Sequence, residues 1–181
     1  MGSDLHSRDR ERDSRIQIVT PDRVAWAKAN VFGVYDHCTW ELMGIHAALV
    51  ADRFEAITTL QQAARKAFGS LEKGTAAGLK LRHDNGSQFV SRAFQAELRF
   101  LGMESSPSFV RAPEGNGCIE RFWRTLKEQL LWIQTFASVE DLNQALREFQ
   151  DHYNQNRLIG RHDHRAPAAV RQDLLGRTQA A

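Results

Sequence analysis

Cysteine is scarce in this 181-residue sequence: Cys38 and Cys118 are the only two. Two thiols make neither a disulfide framework nor a cysteine-rich zinc site, and a reduced, cytoplasmic setting is the expectation. Long apolar runs are missing too. No stretch reaches the roughly 18 consecutive apolar residues of a transmembrane helix, so no membrane partner is expected. The opening string MGSDLHSRDRERDSR has no apolar centre, which argues against a secretory signal. Charge of one sign is also lacking. Twenty-four Lys and Arg face 22 Asp and Glu, for a net charge of +2. A pI near 8.7 permits a nucleic-acid partner without arguing for one, so any such partner must be argued from local motifs.

What is present suits one soluble globular domain: 42% of residues are hydrophobic and 25% charged. A chain of this length can bury roughly 70% of its unfolded surface, enough for a real core. Residues 1–15 interleave four arginines with four acids around one leucine and read as a disordered tail. A folded domain is expected over 16–172, followed by a C-terminal tail over 173–181.

Within that domain, alternation predicts strands at 16–19, 30–35, 41–48, 79–82 and around Pro107, the second and third forming a hairpin across Asp36 to Thr39. Apolar spacings of three and four predict helices at 52–68, 90–101, 118–133 and 139–153. The first would bury Phe54, Ile57, Leu60, Ala64 and Phe68 and stop at Gly69; Ser138 would cap the last. Strands first, then strands alternating with helices, favour an α/β fold with a mixed sheet.

Two carboxylates stand out. Asp84 follows a strand and precedes Asn85-Gly86, so it sits where a strand's C-terminal end opens onto a cleft. The same tripeptide is also an ordinary turn signal. Glu120 lies in the first turn of the third helix, a place that suits a carboxylate on dipole grounds alone. Its stripe continues through Arg124, Lys127 and Leu131 beside the buried line of Ile119, Phe122, Leu126, Leu130 and Ile133. An acid with two cations there fits a metal ligand flanked by phosphate-binding groups, or a solvated stripe with an i,i+4 ion pair. Trp123 and Trp132, nine apart on the same helix, cannot both face one core.

The strings HCTWELMGIHAA, LRHDNGSQF, SSPSFVRAPEGNG and ERFWRTLKEQL follow one another in order, with thirty-five residues between Asp84 and Glu120 and a closing pattern of Tyr153, Asn154, Arg161, His162 and Pro167. Over roughly residues 18–172 the sequence resembles the retroviral-type integrase catalytic core, and within it the DDE transposases of bacterial insertion sequences. The resemblance implies a ribonuclease-H-like mixed five-stranded sheet flanked by helices. It implies DNA integration by metal-dependent phosphoryl transfer, cleaving and joining strands with two Mg²⁺ or Mn²⁺ ions about 3.5–4 Å apart. It makes Asp84 the second acidic ligand and Glu120 the third, and sets Lys127, Arg124, Arg121 and Asn116 against DNA, with Asn116 and Gly117 on the loop before the catalytic helix. The partners implied are element ends and target DNA, with a homo-oligomer or full-length transposase subunits, in the bacterial cytoplasm near the nucleoid.

One departure matters. The family's first aspartate stands three residues after a tryptophan on the first strand, but here Trp26 is followed at that distance by Ala29. The block carrying that aspartate is absent and the first strand is truncated. Loss of a central strand exposes unpaired backbone on its neighbours. Residues 23–28 could form a shortened replacement strand. Asp36 is the best nearby substitute acid, although its position before the hairpin turn suits a plain turn aspartate. Asp22 is a weaker candidate, and His37 beside Cys38 is too little for zinc. Three functions therefore compete: an active core, a binding module that holds DNA or a transposase without cutting, and a decayed remnant.

Overall fold

The computed structural model describes residues 15–20, 23–107 and 117–179. Asn116 and the expected tail over residues 1–14 lie outside them. Strands β1 (Arg15–Thr20) and β2 (Arg23–Lys28) pair antiparallel, as do β3 (Asn30–Tyr35) and β4 (Leu42–Ala48). Helix α1 (Arg53–Phe68) follows, then β5 (Lys80–His83), the single turn α2 (Ser87–Val90), α3 (Arg92–Leu101) and β6 (Glu104–Pro107). β5 and β6 pair parallel. Helix α4 (Gly117–Leu126) runs directly into a π-helical turn at Lys127–Leu131, and α5 (Val139–Asn156) and α6 (Pro167–Gln179) complete the chain. Arg15, placed with the tail by composition, opens β1, and α6 runs unbroken across the expected boundary at 172.

Parallel and antiparallel pairings are both present, as a mixed α/β fold requires. Among the described residues they form three two-stranded ladders, not the one five-stranded sheet expected. β2 forms over residues 23–28 as anticipated but pairs with β1, and not with β3 or β5.

Two apolar clusters cover opposite faces of β3. Val31 and Tyr35 pack with Phe122, Leu126, Leu142 and Leu146 from α4 and α5, while Phe32 packs with Leu60, Phe94 and Leu98 from α1 and α3. Full burial of a leucine or phenylalanine stabilises by about 1.5–3 kcal/mol, so these clusters hold the layers together.

α1 seats differently from its apolar spacing. Its buried residues are Ala56, Thr59, Leu60, Ala63 and Ala64, while Phe54 and Phe68 are exposed. The cause is Gly44 on β4. A Cβ there would meet the Thr59 carbonyl oxygen at 2.6 Å and the Ala63 nitrogen at 3.1 Å. The helix approaches the strand so closely that only its small-residue face fits. Asp52 caps it, accepting from the Phe54 and Glu55 amides at 2.8 and 3.1 Å, and Gly69 ends it at φ 77°.

α5 lies along the outer edge of β4 and closes it with side-chain amides. Asn143 accepts from the Ala47 N–H at 2.8 Å and donates to its carbonyl at 2.8 Å. Asn154 does the same at Leu42, at 2.9 Å in both directions, and Gln150 adds a bond to the Leu42 carbonyl at 2.8 Å. Eleven helical residues rise about 16.5 Å and return to nearly the same face. Five strand residues span about the same length. Helix and strand therefore match end to end.

Candidate functional site

A cavity of about 2240 Å³ lies between β3 and β5, and Asn30–Tyr35 and Lys80–His83 both line it along their full length. Asp36, Asp84, Glu120, Arg124 and Lys127 all border this one cavity. β5 delivers Asp84 at its C-terminal end, and α4 delivers Glu120 in its first turn; both are exposed.

Asp84 forms the turn its sequence suggested and borders the cavity. Its Oδ1 accepts from the Gly86 N–H at 2.7 Å, which forms the turn. A Cβ at Gly86 would come within 2.8 Å of that oxygen and 2.6 Å of the Gln88 amide nitrogen, so either side chain would have to shift to admit one. Beneath it sits a support that the sequence did not reveal. The buried His83 ring donates from Nδ1 to the Asp84 carbonyl at 2.6 Å and bonds the Ser105 hydroxyl through Nε2 at 2.8 Å. Gln95 donates to the same hydroxyl at 3.1 Å and to the Phe89 carbonyl at 2.8 Å. The backbone that carries Asp84 is thus tied to β6 and α3. The only sequence clue was a polar residue at an inward strand position.

Asp36 is a turn aspartate in the structure. Oδ1 accepts from the Cys38 N–H at 3.0 Å, and Oδ2 accepts from the Thr39 N–H and hydroxyl at 3.2 and 2.6 Å. Next to it, partial burial holds the His37 imidazole below its ordinary value, helped by Arg82 and Arg161 and opposed by Asp36.

Arg124 pairs with Glu128 at 2.8 Å rather than with Glu120, and that bond raises its already high pKa. Lys127 begins the π-helical turn, and π-turns recur at functional sites. The turn also ends the helix early, so Ile133, expected to be buried, is exposed. Trp123 packs beside Phe122 at 5.1 Å while Trp132 is exposed, as their spacing demanded. Arg121 does not line the cavity; its guanidinium stands 5.8 Å from the Trp40 ring centroid. Trp40 in turn meets His162 edge-on at 6.3 Å, which brings the closing segment to this end of the fold.

Among the described residues, no three His, Cys, Asp or Glu side chains come together to hold a metal ion. Asp84 and Glu120 are hard oxygen donors of the kind Mg²⁺ takes, and an ion that keeps several waters needs only one or two carboxylates. Asp84 and Glu120 are the carboxylates that would hold such an ion. Among the described residues, no helix is long and apolar enough to cross a membrane.

Comparison with known proteins bears on sequence and fold. Residues 101–167 match the integrase core domain family. The chain is 32% identical over 91 residues to the transposase of insertion sequence IS904 from Lactococcus lactis, covering 50% of this chain and 36% of that protein. It is 30% identical over 78 residues to a putative transposase of IS150 from Escherichia coli, covering 43% of this chain and 28% of that one. It therefore spans about a third of the length of these relatives. In fold it resembles the catalytic core domain of BIV integrase, with a TM-score of 0.59 at 17% identity over 84% of this chain and 91% of that one. The HTLV-2 integrase catalytic core gives 0.53 at 15% identity, over 86% and 90%. Residues 101–167 thus match an integrase core domain, part of the chain is similar in sequence to insertion-sequence transposases, and its fold is similar to that of integrase catalytic cores.

Proposed function

We propose that this chain is the catalytic-core portion of a transposase, acting in DNA integration by cleaving and joining phosphodiester strands, with 16–172 as its working domain. The observation that carries this reading is the convergence of Asp84 and Glu120, from β5 and α4, on one cavity that Arg124 and Lys127 also border. The cations attract the phosphate backbone, a term that does not depend on sequence and weakens with salt. Arg121, which stands over Trp40, and Asn116 are further residues assigned to DNA contact in this reading. Asp84 and Glu120 are the acidic pair, and Mg²⁺ or Mn²⁺ is the cofactor they suit; such an ion neutralises charge at a reacting phosphate. Asp36 is the least suited of the acids, because its oxygens already serve the turn. Element ends and target DNA are the proposed substrates, and further copies of the chain or full-length transposase subunits the protein partners.

The test is a nicking and strand-joining assay on the full chain with Mn²⁺, beside Asp84→Asn and Glu120→Gln. Activity lost in both variants supports the reading, and activity kept in both overturns it. One further outcome, salt-dependent DNA binding without turnover, would mark a core that keeps its DNA surface alone.

A further inference from the structure

The cavity between β3 and β5 has the form of a strand site. β3 is packed on both faces, as a central strand is, yet among the described residues its ladder runs to β4 alone and that of β5 to β6 alone. Residues of both strands line the same cavity. Growth of the β3–β4 sheet is closed on the β4 side by the amides of α5, which leaves the β3 side.

The chain also contains a strand that cannot reach this site in its own copy. β2 ends at Lys28 and β3 begins at Asn30, with Ala29 alone between them. The tightest common hairpin needs a two-residue loop, so β2 cannot turn back onto its own β3. A connection too short to close within one chain is the condition under which identical elements exchange between chains.

We propose that the β1–β2 hairpin of one copy enters the cavity of a second copy, and reciprocally, with β2 antiparallel along the partner copy's β3. A two-fold axis at Ala29 sets Lys28 opposite Asn30 and Arg23 opposite Tyr35, so the two six-residue strands pair over their whole length. Every contact is then made twice, as an isologous interface requires. In sequence β2 carries Val24, Ala25, Trp26 and Ala27 between Arg23 and Lys28, an apolar run of the kind that suits a strand covered on both sides. β1 keeps the other edge of β2 and lies toward β5.

Sedimentation equilibrium of the full chain is expected to give twice the 20.6 kDa chain mass. Insertion of Gly-Asn-Gly-Ser between Lys28 and Ala29 lets β2 fold back and is expected to return the chain to a monomer. In a Cys38→Ser, Cys118→Ser background, Ala29→Cys is expected to form a disulfide-linked dimer on mild oxidation, while the exposed Leu158→Cys does not. A parent chain that is monomeric, a dimer unchanged by the insertion, or no cross-link at Ala29 overturns the proposal. If the insertion variant does not fold, the cross-link decides. None of these readings depends on nicking activity, so strand exchange and catalysis stand or fall separately.

Discussion

At Gly44 one methyl group would decide where α1 sits. A Cβ at 2.6 Å from a main-chain oxygen cannot be absorbed by a rotamer change, so the helix must move. Gly44→Ala is expected to cost about 1–3 kcal/mol. For a chain of this size that lowers the melting temperature by roughly 2–4 °C per kcal/mol, which a thermal melt reads directly. His37 gives a second prediction, in pH. Its imidazole is held below 6.5, mainly by burial and then by Arg82. As the pH falls through 6.5 the unfolded chain takes up this proton first, so stability is lost from there down to the lowered folded value. His37→Gln is expected to flatten that part of a denaturant-midpoint against pH curve, and an unchanged slope would show that His37 does not cause it. Some residues showed their role in the sequence and others could not. Asp84 and Glu120 stood out because each sits at an element end that local signals mark. His83 did not, because its partner Ser105 lies 22 positions away and meets it only through the parallel β5–β6 ladder.

Among elements, the attachment of α5 to β4 is the most exacting. Asn154 is buried and serves both the N–H and the carbonyl of Leu42. Asn154→Ala leaves main-chain groups short of a partner and is expected to cost about 1–3 kcal/mol, with Gln150 still holding the carbonyl. A urea titration that shows no change of midpoint would contradict this. The extent of α5 was legible, since Ser138 stands before a periodic run and its hydroxyl accepts from Asp141 at 3.1 Å. The face of α1 was not, because periodicity counts apolar residues and cannot know that a glycine on a distant strand admits only small ones. The end of α4 was misplaced for a related reason: apolar spacing carries on through Ile133, while the backbone changes to a π turn at Lys127.

For the molecule as a whole, the divalent cation is the informative ligand. If Asp84 and Glu120 bind one ion, Mn²⁺ at ten times its dissociation constant adds about 1.4 kcal/mol to the folded state. A scanning-calorimetry melt is expected to rise by a few degrees with Mn²⁺ and not to do so in Asp84→Asn. Equal shifts in both proteins would remove Asp84 from the ion's ligands. The fold class was readable from ordered strings of motif, each tied to one strand end or helix start. The division of the described strands into three ladders was not legible, because pairing depends on contacts between strands far apart in the sequence. The amide contacts of α5 also set where the chain can tolerate a change in length. One residue inserted between Asn143 and Asn154 would turn the second amide by about 100° and advance it by about 1.5 Å, off the edge of β4. That interval is held to eleven steps by the strand beside it, so relatives of this chain should vary in length in their loops and almost never there.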